Sequence, residues 1–300
     1  MTLPSTRHEL DMPEKLRSRS SSSFTRGTYR LPLLFFLALG GCAQIDRNEH
    51  ADSLARPAGL VREQIATEGF VLTAWSRIYR PDQTINLYIE GDGLAWLNTR
   101  EPSPDPTPRA ATGLALAAAD AASNVVYLAR PCQFTPMDMN PRCSIASWTG
   151  RRFSPDIVAS MNEAIDRIIK RTPGQQINLI GYSGGAAIAV LVAAQRYDVA
   201  SIRTVAGNLD SEYINRTHGV SAMPESLNPI DFATRVANIP QMHFNSGADT
   251  VVTPEVAQRF VAAENSRCAH VQTIPGIAHD GDWQRRWPEL LASIPCCSDR

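Results

Sequence analysis

Residues 176–188, QINLIGYSGGAAI, constrain the fold of this chain more than any other stretch. An apolar run (Ile177, Leu179, Ile180) enters Gly181-Tyr182-Ser183-Gly184-Gly185, and a run of small and aliphatic residues, Ala186 to Gln195, leaves it. That pattern predicts a strand, a tight turn and a helix, with a serine at the apex. The flanking glycines leave room for a sharp turn that points the Ser183 oxygen outward. A Gly-rich turn can equally be plain packing or a phosphate cradle at a helix N-terminus. Partners elsewhere in the chain have to decide.

The rest of the sequence alternates strand-like and helix-like patterns, which predicts an α/β fold: a mostly parallel central sheet with helices on both faces. Strands are expected at Phe70–Ile78, Ile85–Glu90, Val125–Ala129, Ile177–Tyr182, Ile202–Ala206, Gln241–Asn245 and His270–Ile274. Helices are expected at Pro108–Ala122, Pro155–Lys170, Gly184–Arg196, Pro254–Glu264 and Asp282–Ile294. Segments 92–108, 131–153 and 207–240 interrupt the alternation. A loop as long as the last is usually functional; it is read either as a roof over a substrate pocket or as a surface excursion with one short helix. With 43% apolar residues, 20% charged residues and a net charge of −1, nothing basic enough to hold nucleic acid stands out.

The N-terminus has its own logic. Residues 1–30 are rich in arginine and serine, and the apolar segment Leu31 to Gly41 that follows is too short to span a membrane. A basic region before a short apolar core is an export signal, whether translation starts at Met1 or Met12. It ends in Leu39-Gly40-Gly41-Cys42, which resembles a bacterial lipobox. That resemblance implies acylation of Cys42 and a membrane partner held through the N-terminal lipid. Ala43 rather than aspartate after the cysteine resembles outer-membrane sorting, facing the periplasm. The expected organisation is a signal peptide at 1–41, a lipidated tether at 42–67 and one domain at 68–300, with 207–240 as candidate lid. An oxidising compartment permits disulfides. Cys132–Cys143 is the expected local pair, worth ~3 kcal/mol by loop entropy, and Cys268 is expected to pair with Cys296 or Cys297. The cysteine spacing fits no zinc template, so no metal or other cofactor is expected.

An activated serine needs a histidine within reach and a carboxylate to fix the tautomer of that imidazole. His279, in Gly276-Ile277-Ala278-His279-Asp280 after the last expected strand, is the expected base, with His218 next. His243 lies inside a strand, where a core histidine is the default. Asp249, in the turn after the strand at 241–245, is the expected acid, with Asp210 as its rival. Asp280 and Asp282 sit too close to His279 in sequence to orient it.

The order Ser183, Asp249, His279 is that of the α/β-hydrolase fold, and the chain resembles that superfamily over about residues 68–294. The marks are the serine turn, Gly247-Ala248-Asp249-Thr250-Val251-Val252-Thr253-Pro254 and the late His279. More narrowly, Tyr88-Ile89-Glu90-Gly91-Asp92-Gly93, Ala129-Arg130-Pro131-Cys132-Gln133 and Trp148-Thr149 to Phe153 resemble a group of bacterial lipoprotein hydrolases. The resemblance implies a serine esterase acting on a small acyl ester through an acyl-enzyme, with acyltransferase and peptidase activities also open. The oxyanion donors are expected to be the Gly184 N–H and the Asp92 N–H, Gly93 being next, with the Asp92 side chain turned away. The contrasting expectation is an inactive envelope lipoprotein acting as a scaffold.

Overall fold

A computed structural model describes residues 46–298; the expected signal peptide and the expected lipidation site, Cys42, lie outside the described residues. In chain order the elements are α1 (Arg47–Ala55), β1 (Val61–Ala66), β2 (Val71–Ile78), β3 (Ile85–Ile89), α2 (Thr112–Ala118), β4 (Asn124–Leu128), α3 (Ile145–Trp148), α4 (Pro155–Ile169), β5 (Ile177–Tyr182), α5 (Gly184–Ala193), β6 (Val199–Val205), α6 (Ser211–Thr217), α7 (Ala233–Val236), β7 (Gln241–Ser246), α8 (Pro254–Glu264), β8 (Ala269–Ile274) and α9 (Trp283–Leu291).

The strands form one sheet in the order β1-β2-β4-β3-β5-β6-β7-β8. β1 pairs antiparallel with β2, and β2 with β4; every other pairing is parallel. Successive strand residues face opposite sides. Leu87 and Leu128 therefore enter the core under α4, α5 and α8, while Tyr88 and Tyr127 enter the core under α1, α2 and α9. Burial on both faces explains why the parallel strands read as continuous apolar runs. The parallel arrangement also sends the loops after β3 to β8 out of one edge of the sheet, where sites of such folds collect.

Two expectations need correction. The segment 42–67 is not a tether from residue 47 onward, because α1 buries Ala51 and Ala55 and β1 adds the outermost strand. Only Ile65 of β1 is buried; main-chain pairing with β2, which leaves no apolar pattern, puts it in the sheet. The expected helix Pro108–Ala122 shrinks to Thr112–Ala118, since Ala111 has φ 47° and a left-handed residue cannot continue a right-handed helix. Segment 207–240 folds into α6, a 3₁₀ turn at Pro229–Phe232 and α7.

Candidate active site

β5 delivers Ser183 to the sheet edge with φ 49° and ψ −120°, a conformation that costs about 1–3 kcal/mol for a non-glycine residue. The surroundings hold it there. The Ser183 N–H donates to the Val205 carbonyl (3.0 Å), and its own carbonyl accepts from the Ala186 and Asn208 N–H groups (3.0 Å each). α5 packs so closely that a Cβ at Gly185 would overlap the Ile89 carbonyl.

Ser183 Oγ lies 2.9 Å from His279 Nε2, and His279 Nδ1 lies 2.8 Å from Asp249 Oδ2. The buried Asp249 carboxylate is saturated on its other oxygen: Oδ1 accepts the Val251 and Val252 N–H groups, each at 2.8 Å. With Nδ1–H donating to Asp249, Nε2 is left to accept the Ser183 Oγ–H. The imidazole is fixed from behind as well. Its own backbone carbonyl accepts from the Tyr182 hydroxyl (3.0 Å) and from Trp283 Nε1 (3.1 Å). Burial and the nearby Glu90 push the Tyr182 phenol far above its usual range, so it stays a donor.

The runners-up are occupied elsewhere. His218 donates to the Val251 carbonyl (2.9 Å). His243 is fully buried, with Nδ1 2.9 Å from Thr204 Oγ1, and burial pushes its imidazole down to about 3. Asp210 caps α6 through the Tyr213 N–H (3.0 Å) and pairs with Arg259 (2.9 Å).

The loop after β3 passes beside the serine: a Cβ at Gly91 would lie 3.2 Å from Ser183 Cβ. The next residue is Asp92, whose N–H is one expected donor. The other, the Gly184 N–H, heads α5 and has no acceptor within the helix. The Asp92 side chain does not turn clear of the site. Its carboxylate lies where a Cβ on Gly184 would be, so a larger residue there would displace Asp92. Two arginines compensate the charge: Arg130 Nη1 and Arg152 Nε each lie 3.3 Å from it. Burial pushes the Arg130 guanidinium down to about 10, so it stays charged at neutral pH.

Sequence reasoning missed how this loop is clamped. Glu90, fully buried, accepts the Gly91 N–H (2.9 Å), the Gly113 N–H (3.2 Å) and the Tyr127 hydroxyl (2.8 Å). Burial pushes its carboxyl up against the pull of those bonds. Gln133 Nε2 donates to the Gly91 carbonyl (3.0 Å), and its Oε1 accepts the Arg130 N–H (3.1 Å). Gln133 is flanked by Cys132 (φ 72°) and Phe134 (φ 58°), a strained pair of left-handed residues. The expected Cys132–Cys143 disulfide forms beside them. A second joins Cys268 to Cys297, leaving Cys296 as an exposed thiol. Among the described residues no group of three or more His, Cys, Asp or Glu side chains is placed to hold a metal ion.

No protein-family profile matches the sequence, and no curated protein sequence matches it. Solved structures do match its shape. The acylaminoacyl peptidase of Pyrococcus horikoshii superposes with a TM-score of 0.57 at 10% identity; the match covers 80% of this chain but 42% of the peptidase, well under two thirds of its length. Est1E from Butyrivibrio proteoclasticus gives 0.53 at 15% identity, covering 77% of this chain and 97% of that one. The Pyrococcus furiosus esterase Pf2001 gives 0.54 at 13%, covering 79% and 94%. At such identities the likeness is one of chain path alone.

Proposed function

Since this chain carries the α/β-hydrolase fold, we propose that it is a serine hydrolase of acyl esters or related acyl bonds, anchored to the bacterial envelope by lipid. The observation that carries the reading is the unbroken path from Asp249 Oδ2 through His279 to Ser183 Oγ, at 2.8 and 2.9 Å. Ser183 Oγ attacks the acyl carbonyl while its proton passes to His279 Nε2. The Gly184 and Asp92 N–H groups hold the oxyanion that forms. Collapse expels the leaving group, protonated by His279, and leaves acyl-Ser183. Water then attacks the acyl-enzyme, giving its proton to His279, and the acid departs as Ser183 Oγ is reprotonated. Asp249 keeps the imidazole in the useful tautomer and offsets its charge.

Segment 207–240 suits a binding role. Between α6 and the loop that follows it lies a groove of about 510 Å³ lined by Ser211, Asn215, Val220, Met223 and Leu227 among others. Ser211 Oγ donates to Asn208 Oδ1 (2.9 Å), and the Asn208 N–H bonds the Ser183 carbonyl, so this wall is two hydrogen bonds from the nucleophile. The structural neighbours, esterases and an acylaminoacyl peptidase, favour small acyl esters or acylated peptides as substrates. The lipobox-like Leu39 to Cys42 supports acylation of Cys42 and residence at the outer membrane, facing the periplasm.

The decisive experiment is fluorophosphonate labelling together with p-nitrophenyl ester hydrolysis. Ser183→Ala should abolish labelling and cost on the order of 10⁴–10⁶ in rate while the protein stays folded. A folded wild type that neither labels nor turns over favours the scaffold alternative.

A further inference from the structure

We propose that the sheet edge carrying Ser183 lies against the lipid leaflet that holds the acylated Cys42, and that the esters reaching Ser183 are lipids of that leaflet. The proposal rests on the hydrolase and lipidation readings above. Two independent sets of contacts lead to it.

The first is a set of exposed apolar side chains on two adjoining loops. Trp96 and Leu97 (45% exposed each) stand on the loop after β3; Met137 (38%), Met139 (42%) and Ile145 (48%) stand on the segment after β4. β3 and β4 run parallel to β5, so both segments leave the sheet from the edge at which Ser183 sits. Trp148 Nε1 ties the two together by donating to the Ser103 carbonyl (3.0 Å). Five large apolar side chains left open on two loops of one sheet edge suit an interaction surface, and an exposed tryptophan, amphipathic and wide, suits the headgroup level of a bilayer.

The second is the direction of α1. Its first turn is fastened to those same segments. Arg47 Nη1 donates to the Asp105 and Thr107 carbonyls (3.2 and 2.6 Å), and Arg62 Nη2 joins Asn48 Oδ1 to the Phe134 carbonyl (2.6 Å each). The far end of the helix is held at the opposite edge. Arg77 donates to the Ala58 carbonyl and to those of Asp120 and Ala122 (2.7 and 2.8 Å), immediately before β4 begins. The described chain therefore starts, at Asp46, on the Ser183 side of the sheet. Cys42 precedes Asp46 by four residues, at most about 14 Å of extended chain. An acyl group on Cys42 thus holds the membrane within reach of the rim that exposes Trp96 and Leu97. The short tether favours that contact over capture of a free partner. A lipid drawn part-way from the leaflet would meet Ser183 without crossing open water.

Four of the five tryptophans, Trp75, Trp148, Trp283 and Trp287, are 6% exposed or less, so Trp96 is the one open to a quencher. The full-length acylated protein, its lipid verified by mass, is placed in phosphatidylethanolamine–phosphatidylglycerol vesicles with and without brominated acyl chains. Bromolipid should quench the emission, the quenching should vanish in Trp96→Phe, and vesicles should shield Trp96 from aqueous acrylamide. Three results would each overturn the proposal: Trp96 open to acrylamide and untouched by bromolipid, Trp96 shielded from both (the mark of a second copy or another protein), or a chain with no acyl mass. The paired variant Trp96→Ser/Leu97→Ser should hydrolyse p-nitrophenyl acetate within about twofold of wild type and a long-chain ester in vesicles roughly tenfold more slowly. Equal rates on both substrates would also overturn it. If Ser183→Ala still hydrolyses both esters, the hydrolase reading fails, while the quenching result stands by itself.

Discussion

Asp249→Asn puts the proposed proton path to its sharpest test, because the surroundings dictate how the new amide must sit. Two backbone N–H groups, from Val251 and Val252, point at Oδ1 at 2.8 Å and require an acceptor. An asparagine can satisfy them only with its oxygen, which leaves its NH₂ facing His279 Nδ1. Nδ1 must then accept, the ring proton moves to Nε2, and Nε2 can no longer take the proton of Ser183 Oγ. The imidazolium formed in the transition state also loses its counter-charge. For charges 2.8 Å apart and an effective dielectric of about 20, that attraction is about 6 kcal/mol. A loss of that size is about four orders of magnitude in rate, the scale found when a triad aspartate becomes asparagine. The two backbone bonds survive, so the fold should too. Steady-state hydrolysis of p-nitrophenyl acetate gives kcat, and thermal denaturation of the same samples gives stability. A kcat within about tenfold of wild type would refute the reasoning, as would a loss explained by unfolding.

Three further outcomes are expected. Asp210→Asn keeps an acceptor for the Tyr213 N–H at the start of α6 but removes the charge that pairs with Arg259; it should cost about 1–2 kcal/mol of stability yet leave kcat nearly unchanged, and a large kcat loss would make Asp210 the acid. Reducing Cys132–Cys143, or replacing both by serine, should cost ~3 kcal/mol and also lower kcat more than it raises KM, because Gln133 would lose its hold on the Gly91 carbonyl; a purely thermal effect would refute that link. Burial pushes the Glu264 carboxyl up to about 7, so the folded chain holds this proton more tightly than the unfolded one. Its contribution to stability is complete below the usual carboxyl range, near 4.3, and is lost as pH rises through about 7. Melting curves from pH 5 to 8 should therefore fall less for Glu264→Gln than for wild type; identical slopes would refute the assignment.

Where the sequence could be read, local patterning carried the information. β5 and α8 end where the apolar runs and proline place them, and the long apolar face of α4 locates that helix within a residue. Ser183, Asp249 and His279 could be found because each stands in a turn directly after a strand, and a parallel sheet gathers such turns at one edge. What escaped had no local signature. β1 is polar and belongs to the sheet through its main chain. The hydrogen bond from Tyr182 to the His279 carbonyl spans 97 residues, and the contact of Arg130 with Asp92 spans 38. Neither periodicity nor turn chemistry reports such meetings, and it is Arg130 and Arg152 together that hold the Asp92 carboxylate.

The Cys268–Cys297 crosslink encloses β8, His279 and α9 in a single covalent ring of chain. A protease that nicked the turn between β8 and α9 would leave the two pieces joined as one molecule. Re-docking of the severed segment would then be intramolecular, at an effective concentration in the millimolar range, and dilution could not carry the histidine away from its serine.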